Sequence, residues 1–211
     1  MVIENVFQRY GFDDIVAFTG TDITDKMIEM CMDIDRNFYQ PEYAWDSHIK
    51  SVVKTFNQFC FVFIDKSEKR IVGYSFWFPI KTTVFNKFIK EKKMLLYLKE
   101  EHCVNFKNEK GTVNLFQGGE AYVPGYDLEN LHKAVRDLFQ SRVLDLAKIG
   151  IKVKYVAIDA CCKFDETFLV KHMGLTKSVK KENSTFYYDD YSPNKVFSDS
   201  FFARHLQEYY K

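Results

Sequence analysis

The spacing of apolar positions changes period along this chain, and each change marks an element. From 22 to 39, Ile23, Met27, Ile28, Cys31, Ile34 and Phe38 recur at helical spacing, with Thr21 or Asp22 available as an N-cap and Pro41 closing the run. Residues 47–56 read as a second, shorter helix. The period then shortens. Residues 59–64 and 71–80 are compact aromatic and β-branched runs separated by a polar turn at 66–69, the pattern of an antiparallel hairpin.

Residues 81–110 differ in character. Eight lysines sit among Phe85, Phe88, Ile89, Met94, Leu95, Tyr97 and Leu98, which predicts an amphipathic helical insertion with a solvated basic face. Glu91, Glu100, Glu101 and Glu109 interrupt the positive field, which weighs against a polyanion or membrane surface as its partner.

The second half alternates strand and helix. Residues 112–123 read as a strand interrupted at Gly118–Gly119, where a bulge or a close backbone approach is expected. Pro124 and Gly125 end it. Leu128, Leu131, Val135, Leu138, Phe139, Leu146 and Ile149 then form the apolar stripe of a long helix capped by Gly150. Residues 155–160 are nearly all apolar, as in a strand covered on both faces. A short helix over 167–172, ended by Gly174, and a strand over 184–190 follow. The order implies a βαβ unit with a right-handed crossover. The predicted class is α/β (α+β): a mixed, mostly antiparallel sheet flanked by helices, in one domain over 1–211. An aromatic helix over about 197–211 is expected at the end, with Phe201, Phe202, Leu206, Tyr209 and Tyr210 on its apolar side.

Composition narrows the class of partner. The 46% apolar and 17% aromatic content argues for a packed core. Thirty basic against 29 acidic residues leave a net charge of +1, so nothing global points to nucleic acid or an anionic membrane. Residues 1–18 mix Glu4, Arg9, Asp13 and Asp14 with apolar positions and do not read as a signal peptide, and no run approaches the roughly 20 apolar residues of a membrane span. Five scattered cysteines read as reduced thiols of a cytoplasmic protein. The adjacent Cys161 and Cys162 would face opposite sides of a strand. The five histidines have no metal-ligand spacing, and no metal is expected.

In element order the chain resembles the general N-acetyltransferase (GNAT) superfamily. The run Glu120-Ala121-Tyr122-Val123-Pro124-Gly125-Tyr126 looks like that family's central strand ending in Val-x-Pro-x-Tyr. The run Phe168-Leu169-Val170-Lys171-His172-Met173-Gly174-Leu175 looks like its helix ending in Lys-x-x-Gly-Phe, and Gly73-Tyr74-Ser75-Phe76 suits its hairpin. The likeness spans roughly 20–190. It implies transfer of an acetyl group from acetyl-coenzyme A to an amine of a small molecule or protein, by direct attack, in a monomer or homodimer. Ala121, Val123, Gly125, Tyr126, Asp127, Leu128, Asn130 and Leu131 would border the cofactor, and the Val123 amide would polarise the thioester carbonyl.

The family's diphosphate loop, (Gln/Arg)-x-x-Gly-x-(Gly/Ala), is altered here. The matching stretch from Gly125 to His132 has one glycine, no Arg or Gln at the expected place, and acids at Asp127 and Glu129. Both acids favour a helix start and oppose a phosphate there. Asp127 also reads simply as an N-cap. A non-catalytic binding or regulatory module with the same fold is the alternative.

Glu120 is the first candidate for the base that deprotonates the amine. With a period of two, Gly118, Glu120 and Tyr122 share one strand face, while Gly119, Ala121 and Val123 share the other. Glu120 and Tyr122 therefore form the expected acid–base pair, and a Glu satisfied by a lysine or by solvent is the plainer reading. The family's proton donor, a tyrosine four residues before the glycine, is replaced by Val170. Tyr122, Cys162 and Tyr187 are the substitutes, and Asp159 is a carboxylate in an apolar strand that needs a partner.

Overall fold

The fold is that of a computed structural model, which describes residues 4–39, 48–91, 98–106, 111–162, 166, 170, 173–192 and 202–210. Its elements run α1 (Glu4–Gln8), β1 (Ile15–Thr19), α2 (Asp25–Phe38), α3 (His48–Thr55), β2 (Phe59–Asp65), β3 (Arg70–Ile80), α4 (Thr82–Lys90), β4 (Gly111–Tyr122), α5 (Leu128–Lys148), β5 (Ile151–Ala160), β6 (Lys177–Lys180), β7 (Thr185–Asp190) and α6 (Ala203–Leu206). The strands make one seven-stranded sheet in the order β1-β2-β3-β4-β5-β7-β6. All neighbours are antiparallel except β4 and β5, which are parallel and joined through α5. No helix among the described residues is long and apolar enough to cross a membrane.

Alternation along β2 and β3 decides which helix covers which face. Phe59, Phe61 and Phe63 point to the side of α1 and α5; Cys60, Val62, Tyr74, Phe76, Phe78 and Ile80 point to α2, α3 and α4. The phenylalanines of β2 are all at most 1% exposed, each stabilising the fold by about 1.5–3 kcal/mol of burial.

Several boundaries differ from the sequence expectation. Residues Gly20–Asp22 form a 3-10 turn, so α2 starts at Asp25 and its cap is Thr24, whose Oγ1 accepts the Met27 amide at 3.3 Å, not Thr21 or Asp22. Pro41 and most of the helix expected over 167–172 lie outside the described residues. The insertion is not one long helix: α4 spans nine residues, and a 3-10 turn at Glu100–His102 follows, with 92–97 and 107–110 outside the described residues. Lys181 ties α4 down, its ammonium donating to the Phe88 and Glu91 carbonyls at 2.6 and 2.8 Å. Among the described residues the terminal helix is one turn, Ala203–Leu206, and 193–201 and 211 lie outside them. Phe202, Leu206, Tyr209 and Tyr210 pack on the α5 side of the core, and the Val153 amide donates to the Tyr210 hydroxyl at 2.7 Å. Strands β1 and β6, both at sheet edges, are elements the sequence reading lacked. Cys161 and Cys162 lie just past the end of β5, not within a strand.

Candidate functional site

The bulge in β4 shapes the site. Phe76 pairs with Gly119 and Trp77 with Gln117, so Gly118 is the extra residue. It resets the alternation: Phe116 and Ala121, five apart, face the same α2–α4 side. Gln117 and Glu120, three apart, meet on the other side, with Gln117 Nε2 donating to Glu120 Oε2 at 2.9 Å. Gly118 faces Phe78, since a Cβ there would fall 2.4 Å from that ring. The expected shared face of Gly118, Glu120 and Tyr122 is corrected accordingly. Glu120 and Tyr122 share a face, and Gly118 is on the opposite one.

Glu120 is only 2% exposed. Its Oε1 accepts from Tyr122 Oη at 2.7 Å and stands 2.9 Å from His132 Nδ1; its Oε2 accepts from Ser75 Oγ at 2.6 Å and from Gln117. The indole of Trp77 donates to Ser75 Oγ at 3.1 Å, extending the network. A buried carboxylate with four polar neighbours is well solvated by protein. The partners are uncharged side chains and a histidine, not the lysine or solvent of the plainer reading. The Tyr122 ring stacks on Phe63 and meets His132 edge-on. Burial first, and then the Glu120 charge, push its phenol well above the ordinary range.

The open part of the site lies beyond this network. Strands β4 and β5 pair from Gly111/Ile151 to Gln117/Ile158, and then β5 continues only against β7. From Gly118 to Tyr122, β4 therefore keeps β3 on one edge, and among the described residues no strand pairs with the other. A groove of about 600 Å³ opens there, walled by Ile34, Asn37 and Phe38 of α2, by Tyr122, Val123, Pro124, Gly125 and Tyr126, and by Leu128 of α5. Among the described lining residues Asn37 alone has a side-chain amide, and none carries a charge.

The amide of Val123 donates to the Val72 carbonyl at 2.8 Å, so it faces β3. The expectation that this amide polarises a thioester is corrected: by alternation, the amide turned to the open edge is that of Tyr122. Tyr39 reaches the same edge. Its hydroxyl donates to the Glu120 main-chain oxygen at 2.9 Å.

The loop after β4, itself a wall of the groove, is tied to β2 and β3. Tyr126 donates its hydroxyl to Asp65 Oδ2 at 3.0 Å, and Arg70 donates to that hydroxyl at 3.3 Å. Gly125 has φ +105°, and no heavy atom lies within 4 Å of where a side chain would begin. Asp127 is the N-cap of α5, its Oδ1 accepting the Asn130 amide at 3.2 Å and its Oδ2 the Asn130 side chain at 3.0 Å. The Leu131 amide is committed to the Asp127 carbonyl at 2.9 Å, and both Ala121 and Leu131 are wholly buried. By the same alternation the Ala121 main-chain groups turn to β3, as the Val123 amide does.

Among the other candidates, Val170 is buried on the α5 side of the core, Tyr187 donates to Glu166 at 3.4 Å, and Asp159 sits near the end of β5 opposite Phe186. Neither Tyr187, Cys162 nor Asp159 lines the groove. Tyr39 was missed from sequence because nothing marks it out from the other aromatic residues.

No protein-family model matches the chain, and no curated protein does either. Solved structures do. Ard1 from Thermoplasma volcanium superposes with a TM-score of 0.52 at 12% identity, covering 84% of this chain and 97% of that one. An apo agmatine N-acetyltransferase mutant gives 0.54 at 16%, over 85% and 100%. FeeM, an N-acyl amino acid synthase from uncultured soil microbes, gives 0.55 at 13%, over 90% and 97%. The chain has the GNAT fold.

Proposed function

We propose that the protein is an N-acyltransferase that moves an acyl group, acetyl in the simplest case, from a coenzyme A thioester to the amine of a small molecule or protein. The observation that carries the reading is the open strand edge at Glu120–Tyr122 beside a 600 Å³ groove. A thioester arm is a chain of amides and methylenes. It needs an unpaired strand edge for the former and apolar walls for the latter, and this groove supplies both. The Tyr122 amide is the donor for the thioester oxygen, which gains charge as nitrogen attacks.

The diphosphate is the demanding part. Among the described residues no basic side chain lines the groove, so the diphosphate contacts fall to main-chain amides of residues 125–128, reached over Gly125, with the Asp127 carboxylate engaged by Asn130. Glu120 and Tyr122 act from inside. With its oxygens occupied, Glu120 holds Tyr122 and His132 and so fixes the strand that carries the amide. FeeM is described as an N-acyl amino acid synthase and the second neighbour as acting on agmatine, which supports amine acceptors of small size.

The test is release of free thiol from acetyl-coenzyme A in the presence of a panel of amines, with melting temperature followed against coenzyme A. Binding at 100 times Kd adds about 2.7 kcal/mol of stability. No thiol release and no melting shift at millimolar ligand would overturn the proposal and leave a non-catalytic module.

A further inference from the structure

Acyl transfer leaves a thiolate that must collect a proton, and the side chains expected to supply it are badly placed. Val170 has none to give. The Tyr122 hydroxyl is committed to Glu120 on the far face of the sheet, and Tyr187 bonds Glu166. One phenol does stand at the open edge.

Tyr39 is the C-cap of α2, its amide donating to the Asp35 carbonyl at 2.8 Å. Its ring packs edge-on against Phe38, a groove residue, with centroids 5.0 Å apart. Its hydroxyl bonds the Glu120 carbonyl. That oxygen and the Tyr122 amide are successive groups on the one edge that β5 has left, because N–H and C=O of alternate residues point the same way. A thioester bound with its oxygen on the Tyr122 amide and its sulfur toward the Glu120 carbonyl would lie beside this phenol. One turn back on α2, the Asp35 carboxylate is 1% exposed and holds the Tyr74 hydroxyl, so it is fixed and cannot itself reach the substrate.

We propose that Tyr39 is the acid of the transfer, giving its phenolic proton to the leaving sulfur. The inference rests on the acyl-transfer reading above. Nitrogen attacks the carbonyl carbon, the carbon–sulfur bond breaks with its electron pair on sulfur, and sulfur takes the Tyr39 proton. The phenolate then recovers a proton from the nitrogen, which loses one as it becomes an amide. Thioester and amine give amide and thiol, with Tyr39 unchanged.

The experiment compares Tyr39→Phe with the parent on two donors carrying the same acyl group: its coenzyme A thioester and its 4-nitrothiophenyl ester, whose aromatic thiolate departs without a proton. With the coenzyme A thioester, kcat is expected to fall about 10²-fold with KM unchanged. With the aromatic ester the rate should stay at the parent's level. Equal losses on both donors would overturn the role, since a misplaced strand or a poorly folded variant harms both alike. So would no loss on either. A parent that releases thiol from neither donor would instead sink the acyl-transfer reading, and Tyr39's role with it.

Discussion

Glu120 and Tyr122, two residues apart on one face of β4, are joined by a 2.7 Å hydrogen bond that never reaches solvent. The carboxylate also holds Ser75 and Gln117 and lies against His132, so β3, β4 and α5 meet on a single side chain. Glu120→Gln keeps the shape but offers an NH2 where one pair of donors now finds an oxygen. Each stranded buried donor costs about 1–3 kcal/mol. A lower urea midpoint and a lower melting temperature are expected, along with reduced acyl transfer. An unchanged midpoint would show that the network does not hold the strands.

Gly73 faces Tyr122 across the β3–β4 ladder. A Cβ there would lie 2.4 Å from the Tyr122 ring and 2.5 Å from the Ala121 carbonyl oxygen. The ring can shift, but the oxygen belongs to a paired strand. Gly73→Ala is expected to cost at least the 1–3 kcal/mol or so typical of overpacking, and to weaken thioester binding by displacing the open edge. Denaturant unfolding and a ligand melting shift measure the two effects separately.

Gly125 poses the opposite case. Space around it is empty, yet φ is +105°, a conformation that side chains rarely adopt. Gly125→Ala should destabilise by about 1–3 kcal/mol through strain alone. Because residues 125–128 are the proposed diphosphate contacts, coenzyme A affinity should fall as well. Full affinity in the variant would move the diphosphate elsewhere.

Asp65 gives the stability a defined acid limb. Its Oδ1 accepts from Ser67 Oγ at 2.7 Å, from the Ser67 amide at 2.9 Å and from the Glu68 amide at 3.0 Å, while Oδ2 takes Tyr126. The Ser67 hydroxyl first, then the Glu68 amide, hold its carboxyl below the ordinary 3.8. The folded state then binds fewer protons than the unfolded one just below that value. The contribution is therefore complete above pH 3.8 and lost as pH falls through the folded value. Asp65→Asn should melt below the parent at neutral pH, with the gap closing in acid. It should also loosen Tyr126 and weaken ligand binding. A gap independent of pH would remove Asp65 from the acid limb.

Much of this was legible in the chain itself. Apolar spacing gives α2, α3 and α5, the β2–β3 hairpin, and the bulge at Gly118 and Gly119, because each buries a face whose period is written locally. Edge strands carry no such mark. The segment Lys177–Lys180 is a strand through its pairing with β7 and not through its residues. Polar positions of α5 such as Asp137 and Gln140 are buried because Tyr10 and Tyr191 come over them from distant parts of the chain.

Local order thus determined the central elements, their sequence along the chain and the loop that follows β4, but not the edge strands. The site was decided by tertiary structure, for a geometric reason. One bulge shifts the parity of β4, which sends the Glu120 side chain inward and its carbonyl outward to Tyr39, and it sets the Tyr122 amide in place of Val123's at the open edge. A period of two can be read from residues. Where that period is broken, and which distant side chains then meet the strand, depends on the neighbours that pack against it.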